Sequence, residues 1–267
     1  MGYFHVIAGA EETPAHPLVR TLHLSDIRTA LAKGSEDFWA MPSHLLFIGL
    51  IYPVIGVCLA VLTSGENALP LLYPLASGFA LIGPVAAIGL YEVSRRRELG
   101  LDTSWRHAFA VRRSPAIPSI IALAVLLLVL FVAWLETARV IYQWLFGPMA
   151  PQSYGHFLNA VFSTSRGWRL IVIGNATGFV FAIAVLSVSV VSFPLMLERD
   201  VGAAVAVVTS ARVFAANPVV IGLWGLIVAL AVAIGSAPFF MGLVIVMPVL
   251  GHASWHLYRR AVAPGQV

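Results

Sequence analysis

The feature that most constrains this chain is the spacing of its charged residues. Asp37 to Glu66, Glu66 to Glu92, Arg113 to Glu136 and Arg169 to Glu198 each bound a run with no charged side chain. A helix needs about 20 mostly apolar residues to cross a hydrocarbon core of roughly 30 Å, and each run holds one. Arg212 to Arg259 bounds a run about twice as long, punctuated near its middle by Gly235-Ser236-Ala237-Pro238. Gly and Pro together break a helix, so that run holds two spans. The expected spans are 44–63, 70–91, 116–136, 169–196, 217–235 and 238–257. Composition agrees: 60% of residues are hydrophobic and 10% charged, against about 25% charged in a soluble domain. Too few polar side chains remain to cover a water-facing surface, so lipid has to cover it.

The run between Arg139 and Arg166 is also uncharged, but Gly147, Pro148, Pro151 and Gly155 fall inside it. Backbone broken in this way leaves N–H groups that lipid cannot satisfy. The stretch reads as an outer loop with two short interfacial pieces, Ile141–Phe146 and His156–Thr164, with a re-entrant loop as the alternative. Trp144, Tyr154 and Trp168 suit an aromatic belt at the membrane surface.

Six spans put both termini on one side, together with thirteen of the 16 basic residues, leaving Arg139, Arg166 and Arg169 opposite. The positive-inside rule makes the thirteen cytoplasmic. Gly2–Ala10 lacks a basic flank and runs into Glu11 and Glu12 instead of a cleavage site, which argues against a signal peptide. Residues 1–24 read as a cytoplasmic tail, 25–262 as a single six-helix membrane domain and 263–267 as a short C-terminal tail. The implied location is a bacterial inner membrane.

A repeat runs through the chain. Pro84-Val85, Tyr91 and Arg95-Arg96 recur at identical spacing as Pro248-Val249, Trp255 and Arg259-Arg260, and Arg97-Glu98-Leu99-Gly100 recurs as Arg199-Asp200-Val201-Gly202. Each odd-numbered span follows a helix-prone stretch. In Ser25–Trp39 the face is Ile27, Leu31 and Phe38, with Asp26, Arg28, Lys33 and Asp37 elsewhere. In Thr103–Arg113 it holds Trp105 and Phe109, and in Ala203–Phe214 it is Val207, Ala211 and Phe214. Amphipathic helices of this kind lie in the interface plane. The expected fold is all-α: three hairpins, each preceded by a cytoplasmic interfacial helix. Small residues four apart (Gly174, Gly178 and Ala182; Gly225, Ala229 and Ala233) allow close helix packing.

Arg166-Gly167-Trp168, Gly174-Asn175, SFPLMLERDVG at 192–202, NPVVIGLWG at 217–225 and PVLGHASWHLYRR at 248–260 carry a resemblance over roughly 25–262. It is to a proteobacterial family of uncharacterised predicted integral membrane proteins, a domain of unknown function. The resemblance implies a multi-span inner-membrane fold and supplies no activity. Some relatives carry an oxidase-subunit label. Haem-copper chemistry needs histidines deep in several spans, and the central parts of all six lack them.

Two polar groupings are candidate sites. His252 and His256 are four apart on one helical face, a spacing that can chelate a transition metal. His44, His107 and, by the repeat, Glu92 could join them at a metal or haem site; otherwise these residues bind water and phosphate at headgroup depth. Asn175 and Thr177 form the strongly polar pair inside the fourth span. Intramembrane charges mark ion pathways, whereas Glu66, Glu92, Glu136 and Glu198 stand at span ends. No nucleophile elbow, zinc-protease helix, P-loop or basic nucleic-acid stripe occurs. The functional expectation is a non-enzymatic scaffold or accessory protein, with no resident cofactor, that binds the bilayer and other membrane proteins. A transporter of an uncharged or lipid-like solute and an accessory or metal-handling protein beside an oxidase are the alternatives.

Overall fold

The computed structural model describes residues 17–41, 56, 70–71, 73–75, 83–104, 107, 111, 114–149, 151, 153–237 and 241–264. Among them the chain is all-helical, with one isolated antiparallel bridge, Val19 to Val262. The helices are α1 (Leu24–Ala40), α2 (Gly83–Ala86), α3 (Ile88–Glu98), α4 (Ile117–Phe146) and α5 (Tyr154–Ser163). They continue as α6 (Ser165–Ser189), α7 (Ser192–Glu198), α8 (Gly202–Ala216), α9 (Pro218–Ser236) and α10 (Leu243–Ala261). Three are long and apolar enough to cross a membrane: α4, Ser165–Glu198 taken across its break, and α9. The expected span 44–63 and most of 70–82 lie outside the described residues, as does His44.

Described residues up to 53, from 83 to 125 and from 186 onward form one compact unit. In it α1 is packed along α10, close enough that a Cβ on Gly34 would sit 2.6 Å from the Ala253 nitrogen and 2.8 Å from the Val249 carbonyl oxygen. Gly251 likewise admits Leu90 of α3, whose Cδ1 lies 2.5 Å from where a Cβ would stand. The buried face of α1 is Ile27, Ala30, Gly34, Asp37 and Phe38. Leu31, expected on that face, is half-buried, and Asp37, expected away from it, is 5% exposed. The reason is the small pair Ala30 and Gly34, which draws the helix down on that side.

Similarly, α8 buries Gly202, Ala203, Ala206, Thr209, Ser210 and Val213, leaving the expected face of Val207, Ala211 and Phe214 half-buried. The second helix-prone stretch, 103–113, falls mostly outside the described residues. Asn217 precedes Pro218, which takes the first turn of α9 where its missing N–H costs nothing. The Asn217 amide accepts from Leu22 N at 2.6 Å and donates to the Arg20 carbonyl at 3.0 Å. With Arg20 N donating to the Ala261 carbonyl at 2.8 Å, this pins the segment before α1 against the end of α10.

The second unit contains the described residues between 54 and 82 and from 126 to 185. Trp134 is its buried anchor, 4% exposed. Its indole N–H donates to the Pro74 carbonyl at 2.9 Å, and its ring packs against Gly178, where a Cβ would approach to 3.0 Å. At Gly167 a Cβ would collide with the carbonyl oxygens of Ala160 and Val161, so the tight join of α5 to α6 requires glycine.

Two expected boundaries are corrected. Ile141–Phe146 is no separate interfacial piece, because α4 runs unbroken to Phe146. Nothing between 136 and 146 interrupts it, Arg139 and Glu136 pair one turn apart at 2.7 Å, and the helix ends only at Gly147, whose φ of +87° suits glycine. The fourth helix starts at Ser165 instead of 169 and breaks at 190–191 before α7, with Pro194 in the first turn of the new segment. By contrast, α9 ends at Ser236, within the expected Gly-Ser-Ala-Pro punctuation, while α10 begins at Leu243 and runs to Ala261. Pro84 and Pro248 differ locally: Pro84 sits in the four-residue α2, Pro248 inside continuous α10.

Candidate functional site

Four helices of the first unit converge on the polar half of α10. Residues 252, 255, 256 and 259 recur at helical spacing, so one side of α10 offers His252, Trp255, His256 and Arg259 in succession. Against it stand Asp37 of α1, Ser94, Arg97 and Glu98 of α3, and Glu198 of α7.

Asp37 is the hub. Its Oδ2 accepts from the Ser94 hydroxyl at 2.5 Å and from His256 Nε2 at 2.9 Å, and its Oδ1 accepts from Arg97 Nη1 at 2.5 Å. Burial pushes the Asp37 carboxyl up, but the hydrogen bonds from His256 and Ser94 and the nearby histidines outweigh it and hold it below the ordinary 3.8. Ser94 also stands 2.6 Å from His252 Nδ1. Its single proton goes to the carboxylate, which can only accept, so His252 Nδ1 carries a proton and donates to the Ser94 oxygen. His252 is fully buried, and among the described residues its other nitrogen, Nε2, has no hydrogen-bond partner. In the neutral ring that nitrogen carries the lone pair.

Next along α10, Glu98 accepts from Trp255 Nε1 at 3.0 Å and from Arg259 Nε at 3.1 Å. Arg259 Nη1 donates to Glu198 at 2.6 Å, and the Tyr258 hydroxyl donates to the same carboxylate. One arginine thus ties α3 to α7 through α10.

The sequence-predicted residues separate. His252 and His256 do meet, through Asp37 and Ser94. Glu92, 5% exposed, is held instead by Arg95, whose Nε and Nη2 donate at 2.7 and 3.0 Å, and by Arg96 at 3.7 Å. His107 pairs with Asp102 at 2.9 Å; the hydrogen bond from His107 leads the effects that lower the Asp102 carboxyl. Among the described residues no group of three His, Cys, Asp or Glu is arranged to hold a metal ion. In the second unit Asn175 accepts from the Tyr73 hydroxyl and donates to the Ile171 carbonyl oxygen, both at 2.8 Å, and Thr177 is half-buried. Sequence reasoning missed Asp37, Ser94, Arg97 and Glu98. A signal existed for Asp37: it lies one turn beyond Ala30-x-x-x-Gly34, a small-residue pair that marks a packed helix face.

Asp37, Ser94 and His252 include the residue types of a hydrolytic triad in a different order. A nucleophilic serine gives its proton to a histidine whose far nitrogen is held by the carboxylate. Here the serine lies between carboxylate and histidine and is 1% exposed. The arrangement joins helices.

A family model described as "Predicted integral membrane protein (DUF2189)" matches residues 72–198. The match covers the part of the resemblance from 72 to 198 and includes Ser94, Arg97, Glu98 and Glu198, while the strings at 217–225 and 248–260, α1 and α10 lie outside it. No curated protein and no solved structure matches the chain. The match and the three long apolar helices together make this an integral membrane protein.

Proposed function

We propose that this integral membrane protein is a non-catalytic scaffold or accessory component whose helices bind lipids and other membrane proteins. One observation carries the reading: the ionic groups close on one another, while the apolar helices remain open. Of the most apolar windows of α4, Ser165–Glu198 and α9, only 28%, 50% and 22% is buried. Meanwhile Asp37, Glu92, Glu98 and Glu198 are all engaged by arginines or histidines of the same unit. A surface so apolar is matched by acyl chains or partner helices, and the paired charges brace it.

The architecture we assign is six spans in three hairpins, each following an interfacial helix, in a bacterial inner membrane with both termini cytoplasmic. Support comes from the repeat. Gly100 and Gly202, equivalent by the repeat, have φ of +67° and +74°. Tyr91 and Trp255, also equivalent, are 4% and 1% exposed.

The test is purification in mild detergent followed by mass spectrometry of co-purifying proteins and lipids. Stoichiometric partners or retained lipid are expected. A protein that emerges bare but moves solute across reconstituted vesicles overturns the reading in favour of transport. A second reading, metal or haem handling, is favoured by the buried Nε2 of His252, which has no hydrogen-bond partner among the described residues, since histidine ligands commonly present one nitrogen while the other is held by a hydrogen bond. Elemental analysis of the same preparation decides it.

A further inference from the structure

Beside the Asp37 network, and sharing His256 with it, lies a cavity of about 220 Å³ whose lining among the described residues includes Arg20, Lys33, His256, Arg259, Arg260 and the single acid Glu98. Each element brings its residue for a reason already given. Arg20 is placed by the segment that Asn217 pins, Lys33 by the turn of α1 before Gly34, and the α10 residues by the helical spacing 256, 259, 260.

The charges do not balance. Glu98 is already used by Trp255 and Arg259, and Arg259 also holds Glu198. The nearest acid to Arg260 is Asp26 at 3.8 Å, a loose contact. Among the described residues Arg20 and Lys33 have no acidic partner. Two free cations and a third loosely held one therefore border one concavity, where the field of like charges adds up and favours an anion.

Size narrows the choice. Its volume of about 220 Å³ lies below the roughly 300–1,000 Å³ typical of drug-sized ligands. A phosphate group with a short polar extension is of the size such a concavity accommodates. Leu18 and Leu24, chain neighbours of Arg20 and the start of α1, are 75% and 59% exposed, as suits an anion that carries hydrocarbon. We propose that this cavity binds a phosphate ester, and specifically the headgroup of an anionic phospholipid of the leaflet that faces the Arg259-Arg260 end of α10. Basic pockets of this kind between helices take anionic headgroups. The inference deepens the lipid-binding half of the function proposed above and rests on it.

The test compares wild type, Arg20→Gln/Lys33→Gln and Arg28→Gln, all full-length in detergent and stripped of lipid. Arg28 is an exposed cation of α1 that does not line the cavity, so its variant controls for loss of a cation elsewhere on the same helix. Binding of phosphatidylglycerol is read by native mass spectrometry with phosphatidylcholine as comparison, and binding of inorganic phosphate by thermal shift. At about 1 kcal/mol per basic residue, the double variant is expected to lose about thirty-fold in phosphatidylglycerol affinity, with Arg28→Gln close to wild type. If inorganic phosphate alone stabilises wild type and not the double variant, the source is a soluble phosphate ester, and the assigned chemistry stands while the lipid source falls. If wild type retains phosphatidylglycerol and the double variant retains it equally, this cavity is not the site, though lipid binding survives. Should wild type bind neither probe, both the site and the lipid-binding half of the function fall. Among the described residues the Arg20 and Lys33 side chains have no ion pair to lose, and an unchanged melting temperature without ligand verifies that the double variant folds.

Discussion

Replacing Gly34 with alanine puts the packing of α1 on α10 to a direct test. Alanine is the better helix former by about 1 kcal/mol, so on helix propensity alone Gly34→Ala stabilises. The structure opposes this. The new methyl would stand 2.6 Å from the Ala253 nitrogen, 2.8 Å from its Cβ and 2.8 Å from the Val249 oxygen, where 3.4 Å begins ordinary contact. All three atoms belong to backbone or to a Cβ and cannot swing aside, so α1 has to withdraw by about 0.8 Å, the shortfall against ordinary contact. Overpacking of this kind costs about 1–3 kcal/mol. Asp37 lies one turn further on, and the same displacement stretches its 2.9 Å bond to His256 past hydrogen-bonding range, with a further loss of about 1.5–3 kcal/mol if the bond breaks outright. The net expectation is destabilisation by about 1.5–5 kcal/mol. Unfolding of the purified protein in mixed micelles by SDS, followed by tryptophan fluorescence, measures it. Ala32→Gly, at an exposed position of the same helix, isolates propensity and should cost about 1 kcal/mol. A Gly34→Ala protein as stable as wild type, or more so, would refute the close approach of the two helices.

Asp37→Asn keeps the size and removes the charge. Breaking a buried pair costs about 3–5 kcal/mol, but the Arg97 side chain is 39% exposed and water can recover it, so about 2 kcal/mol is expected in the same SDS titration. The pH dependence has a definite sign. Because the Asp37 carboxyl is held below 3.8 in the folded state, its contribution is fully present above that value and is lost as the pH falls through the lowered one. Wild type should lose stability relative to Asp37→Asn in that acid window, and a difference that stays constant as the pH falls through it would contradict the assignment. For topology, a reporter active only in the cytoplasm should signal when fused after Val267 and stay silent within 147–156; the opposite pattern overturns the six-span orientation.

What could be read in advance followed from how local the governing physics was. The break at Gly235-Ser236 and the helix after Pro218 depend on neighbours in sequence, and α9 runs from Pro218 to Ser236 accordingly. The far end of α4 was misread because Gly147 and Pro148 coloured the whole stretch, although a breaker acts only from its own position and the ten residues before it are helical. Asp37 was misread for a different reason. Periodicity sorts residues by polarity, and a carboxylate on a helix carrying Arg28 and Lys33 sorts to the outside. The correct side is set by Gly34, which lets α10 approach, and by Arg97, which waits 60 residues later in the chain. Once α1 is drawn against α10 by the small residues, burying Asp37 is tolerable only because Ser94, Arg97 and His256 meet it there, and those partners come from two other helices. The pairing of His252 with His256 was visible in the four-residue spacing. What they face was not, since a helical face says which residues share a side and nothing about which helix arrives opposite. Here the arriving helix brings a carboxylate that can only accept, and this places a proton on His252 Nδ1: the direction of the histidine's hydrogen bond is decided by a residue 215 positions away in sequence.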